Sequence, residues 1–81
     1  MNQNPERVFR IGCVSASVFA REIRSEGRPE RTLRSVSFQK RYVSGEEVKF
    51  SGSFGLAELP ALSRVAQLAQ EYIESKEICV S

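Results

Sequence analysis

Between Val14 and Arg21 the chain alternates one for one. Val14, Ala16, Val18 and Ala20 fall on one parity, and Ser15, Ser17, Phe19 and Arg21 on the other. Only an extended strand turns a period of two into one apolar and one polar face. The period returns downstream, where Val36, Phe38 and Tyr42 share a parity with the stems of Arg34 and Lys40, opposite Ser35, Ser37, Gln39 and Arg41. Val48, Phe50 and Phe54 then alternate with Lys49, Ser51 and Ser53. Residues 7–23, 31–43 and 47–54 are therefore expected to be strands. Phe9 and Ile11 carry the opposite parity to Val14, with Gly12 at the switch. A bulge is expected at Gly12–Cys13, bending the first strand or splitting it into two.

The punctuation agrees with an antiparallel order. Residues 24–30 hold Gly27 and Pro29 among charges, as an exposed loop does, and Ser44–Gly45–Glu46 reads as a hairpin turn. After Gly52 and Gly55 the period changes. Pro60 suits the first turn of a helix, and Leu59, Leu62, Val65, Ala66, Ala69, Tyr72 and Ile73 recur at helical spacing. Leu68 widens this stripe beyond what one sheet needs. The expected fold is α+β, a curved antiparallel sheet of three long strands followed by one C-terminal helix. Residues 7–77 form its one domain, between a flexible N-terminus of residues 1–6 and a tail of residues 78–81.

Eighty-one residues make a marginal core. Small domains supplement such a core with disulfides, a metal or a second subunit. Cys13 and Cys79 form no framework, and without His, Asp or closely spaced cysteines no metal or other cofactor is expected. A homodimer is the remaining supplement, with Leu62, Val65, Leu68, Ala69 and Tyr72 as its expected helix–helix seam. The polar N-terminus shows no signal-peptide pattern and no stretch is long enough to cross a bilayer, so the chain is expected in the cytoplasm.

Enzymatic chemistry has little to draw on. There is no His, the serines have no accompanying base, and 51–55 lacks the Lys of a phosphate-cradling loop. Charge placement says more. Net charge is +2, yet residues 7–41 hold nine Lys or Arg against three Glu, whereas residues 46–77 hold three against six. A basic sheet with an acidic helix attracts phosphate to one side only. The expected polar face collects Phe19, Arg21, Gln39, Arg41 and Lys49 among small serines and carries no Glu. Arg21, Arg41 and Lys49 suit phosphates and Phe19 suits a stacked base. A plain solvated face is the alternative, as is a protein-interaction or assembly module that uses the sheet edge or the helix seam. Arg24, Arg28 and Arg31 alternate with Glu26 and Glu30, as in a solvated loop.

The segments FRIGCVSASVFARE (9–22), SVSFQKRY (35–42) and SFGLAELP (53–60) resemble those of a group of small uncharacterised bacterial and phage proteins. In strand-then-helix layout that group resembles the transcriptional coactivator family related to the Whirly proteins. The resemblance implies a homodimer joined through C-terminal helices, whose curved sheets bind single-stranded DNA with little sequence preference. It places Phe19 where the group commonly has a Trp, and Arg41–Tyr42 at its basic–aromatic strand end. The chain departs from the pattern at Ala20–Arg21, where the group tends to an acidic residue and Asn, and it lacks the coactivator's lysine-rich hairpin. Function is thus expected to be non-enzymatic binding of single-stranded DNA, with RNA equally compatible.

Overall fold

The computed structural model describes residues 4–77; the expected tail and Cys79 lie outside them. Four strands form one antiparallel sheet in sequential order: β1 Arg7–Ile11, β2 Val14–Ile23, β3 Arg31–Ser44 and β4 Glu47–Ser51. Helix α1, Leu59–Glu77, follows and lies across β2 and β1, meeting β3 only at its margin and leaving β4 uncovered.

The core is small because only one face of the sheet is covered. Val14, Ala16 and Val18 of β2 meet Val65 and Ala69 of α1, and these are the buried residues among those described. Phe9, Val36, Phe38, Phe54, Ala61, Leu62, Tyr72 and Ile73 close around them. Burying a Val side chain fully contributes about 1.5–3 kcal/mol. Alternation in β2 therefore decides which side the helix takes: the other parity offers serines.

The parity switch at Gly12 has a different cause from the expected bulge. Gly12–Cys13 is a two-residue turn that reverses the chain, and Ile11 pairs with Val14. Residues 11 and 14 then face the same way, so the parity inverts without an inserted residue. Gly12 has φ +61° while Cys13 stays at negative φ, the pattern of a type II′ turn, whose twist matches the strands it joins.

The second tight turn corrects a larger expectation. A loop of three residues, 44–46, would pair Tyr42 with Val48 and put Val48 and Phe50 on the helix side. Instead Gly45–Glu46 alone makes the turn, with Gly45 at φ +65°. Ser44 pairs with Glu47, Val43 with Val48, Tyr42 with Lys49 and Arg41 with Phe50. One residue of register moves every side chain of a strand to the other face. Lys49 thus stands on the helix side with Tyr42, and Val48 and Phe50 stand on the open side with Arg41. The strand also ends at Ser51, short of the expected Phe54.

Polar contacts fasten the edges of the covered side. The Glu6 amide donates to the Val18 carbonyl at 2.7 Å and its carboxylate meets Arg34 Nε at 2.8 Å, so Glu6 belongs to the domain rather than to a free N-terminus. Phe9 and Tyr72 pack edge-to-face at 6.1 Å, with the Arg7 guanidinium 5.6 Å from the first ring and 5.8 Å from the second. At the other end Glu58 accepts from Lys40 Nζ at 2.8 Å and from the Gly55 amide at 3.0 Å, tying the helix start to β3.

The register makes a stability prediction. Val65→Ala is expected to lower unfolding free energy by roughly 2–3 kcal/mol, the transfer of two methyls plus a cavity. Phe50→Ser, at a side of the sheet that no described element covers, is expected to change it by less than about 0.5 kcal/mol. Urea denaturation checks both; a Phe50→Ser loss as large as that of Val65→Ala would place Phe50 in the core and refute the pairing.

Candidate nucleic-acid interface

The strand pairings assign each side chain to a face. From Ile11 opposite Val14, the helix side takes Arg7, Phe9, Val14, Ala16, Val18, Arg34, Val36, Phe38, Lys40, Tyr42 and Lys49. The open side takes Val8 and Arg10 from β1, and Ser15, Ser17, Phe19, Arg21 and Ile23 from β2. From β3 it takes Arg31, Leu33, Ser35, Ser37, Gln39, Arg41 and Val43, and from β4 Val48 and Phe50.

Four of the five expected ligand-binding residues, Phe19, Arg21, Gln39 and Arg41, therefore share the open face. Lys49 does not: it projects to the opposite side, its ammonium 3.9 Å from Glu47. They are also spread out. Arg21 pairs with Leu33, eight residues along β3 from Arg41, a distance of about 27 Å at about 3.4 Å per residue. Phe19 is half-buried beside Ser35, while Arg21, Gln39 and Arg41 are exposed.

The cations of the two sides differ in their partners. On the helix side Arg34 is held by Glu6 and Lys40 by Glu58, each at 2.8 Å. The hydrogen bond from Arg34, followed by one from Tyr72, holds the Glu6 carboxyl below its usual range, and that from Lys40, followed by the Gly55 amide, does the same for Glu58. On the open side Arg10, Arg21, Arg31 and Arg41 have no ion pair among the described residues, and the strands place no carboxylate there. Loop Arg24 is paired with Glu30 at 2.9 Å, in keeping with a solvated loop.

The open face is not flat. Where the Gly12–Cys13 turn meets β3 and β4, a concavity of about 370 Å³ is lined by Arg10, Gly12, Cys13, Ser15, Ser17, Gln39, Arg41 and Phe50. The Arg41 amide donates to the Cys13 carbonyl at 2.9 Å, fixing the turn over β3. Arg10 and Phe50 were not among the expected site residues. Arg10 was legible, since a reversal at Gly12 puts Val8 and Arg10 opposite Phe9. Phe50 was hidden by the assumption that an aromatic in an alternating strand faces the core.

The expected helix seam is also altered. Val65 and Ala69 are buried against the chain's own sheet and have no surface for a second helix. Leu62 and Tyr72 are half-buried at the margins of the same core. Leu68 is half-buried but packs outside that cluster.

Among the described residues no group of three or more His, Cys or Glu could hold a metal ion, and no helix is long and apolar enough to cross a membrane. No protein-family model, curated protein or solved structure matches the chain.

Proposed function

We propose that this protein is a non-enzymatic, cytoplasmic binder of single-stranded nucleic acid, with the strand lying on the open face of the sheet. The observation that carries the reading is the segregation of charge. On the helix side Arg34 and Lys40 are paired with glutamates and Arg7 lies over the Phe9 and Tyr72 rings, whereas Arg10, Arg21, Arg31 and Arg41 face solvent with no ion pair among the described residues. Phosphates can supply the missing anions, with release of condensed counterions as the driving force. Phe19 and Phe50 offer ring faces, and Ser15, Ser17, Ser35 and Ser37 leave a low floor between them. Only unpaired bases can lay their faces on such rings, which favours a single strand over a duplex and makes binding tolerant of sequence. The layout resemblance to single-stranded-DNA-binding coactivators supports the same reading.

Anisotropy of a labelled 30-nucleotide oligo(dT) tests it. Binding is expected at tens of micromolar or tighter in 50 mM salt. With three or four phosphates neutralised, it should weaken roughly twenty- to fifty-fold by 200 mM. Arg41→Glu should abolish it and Lys49→Glu should change it less than about two-fold, because Lys49 faces the other side. Absence of binding by the wild-type protein at low salt would refute the proposal.

In this reading two copies associate along α1. The small buried core argues for a second subunit, and Leu68, with Tyr72 one turn further on, has surface to offer. Sedimentation velocity is expected to show a particle of about twice the 9.1 kDa chain mass. Leu68→Glu should give a folded monomer; a monomeric wild type at 100 µM would contradict the dimer. A protein-interaction role has one observation in its favour, the adjacent exposure of Val43, Val48 and Phe50 at 69%, 54% and 58%. Retention of a partner after nuclease treatment, unaffected by Arg41→Glu, would select it.

A further inference from the structure

Resting on the single-strand reading, the geometry points to a bipartite track: we infer that a seat for one nucleotide at the β1–β2 turn and a second anchor at the far end of β2 and β3 must be bridged by one strand, which sets a minimum ligand length. The seat is the concavity at the Gly12–Cys13 turn. Its volume, about 370 Å³, is at the lower end of small-ligand sites, which start near about 300 Å³. Two arginines, Arg10 and Arg41, line it from different strands, with Gln39 and Ser15 between them and Phe50 at its margin. That is a phosphate clamp, amide and hydroxyl hydrogen-bonding groups, and an aromatic face within one hollow.

The second anchor has different parts. Phe19 lies opposite Ser35, Arg21 opposite Leu33 and Arg31 opposite Ile23, so one ring and two arginines with no ion pair among the described residues sit at the arm of the β2–β3 hairpin. Between the two sets of arginines lies a floor of serines: Ser15 and Ser17 at the edge of the seat, Ser37 across from Ser17, and Ser35 opposite Phe19. None of these carries charge, and all are too small to hold a base by stacking. The charged grips are thus at the two ends, with an uncharged floor between them.

The spacing converts to a length. About 27 Å separates Arg41 from the row of Arg21. A stacked strand rising about 3.4 Å per nucleotide spans it with about eight residues. An extended strand at twice that rise needs about four, at the short end of the sites of single-strand binders. Shorter ligands reach the seat alone.

The test compares oligo(dT) of 3 and 12 nucleotides, the trimer followed by NMR titration and the 12-mer by anisotropy, with the 30-mer as reference. The 12-mer, which offers about ten overlapping trimer sites, should bind at least ten-fold more tightly than that statistical factor accounts for. Arg21→Ala should weaken the 12-mer about ten-fold and leave the trimer unchanged, whereas Arg41→Ala should weaken both. Both arginines are exposed, and circular dichroism verifies folding of the variants. In a Cys79→Ser background, alkylating Cys13 at the rim of the seat should block the trimer. Equal losses from Arg21→Ala and Arg41→Ala at both lengths, or trimer binding indifferent to alkylated Cys13, would overturn the bipartite track while leaving single-strand binding intact. Failure of the wild-type protein to bind even the 30-mer would instead overturn the single-strand reading, and the track with it.

Discussion

The contact of Val14, Ala16 and Val18 with Val65 and Ala69 decides which side of the sheet is covered. These side chains are small, so α1 lies close to β2 and reaches β1 and only the margin of β3. Larger residues then close the periphery: Phe9 against Tyr72 on one flank, and Phe38 and Phe54 toward the helix start. Once that side is taken, everything of opposite parity in β1, β2 and β3 is left to solvent. The exposure of Arg10, Arg21 and Arg41 follows from burial of residues one position away.

The same division organises the charges. A cation beside the helix is partly removed from water, and partnering it with a glutamate offsets that loss. Glu6 and Glu58 do this for Arg34 and Lys40, and both pairs join segments distant in sequence. Being partly exposed, such pairs add little stability each; their role is to align the N-terminal segment and the helix start on the sheet. On the open side the arginines face solvent with no ion pair among the described residues. A net charge of +2 therefore conceals a one-sided field.

The period of two in β2 and β3 and the helical stripe after Pro60 were sufficient to read the sheet, the helix and the covered parity. What the sequence left open came down to two turns. At Gly12 the parity switch was visible, but a bulge and a two-residue reversal produce the same inversion; the reversal adds a strand and sets Arg10 directly opposite Ser15. At Gly45 a single residue of loop length separates two registers, and local sequence does not choose between them. The choice exchanged Lys49 for Phe50 on the open side. Val65 and Ala69 were ambiguous for another reason: an apolar stripe serves a chain's own sheet and a neighbouring helix alike. Here the sheet claims both.

In the proposed function the single strand lies on the open face, in the register set by Gly45–Glu46. Amide chemical-shift mapping during titration with oligo(dT) tests it most directly. Shifts are expected at Arg10, Ser15, Ser17, Phe19, Gln39, Arg41 and Phe50, with α1 residues such as Arg64 and Gln67 unmoved. Shifts concentrated on α1, with Ser17 and Gln39 silent, would contradict it.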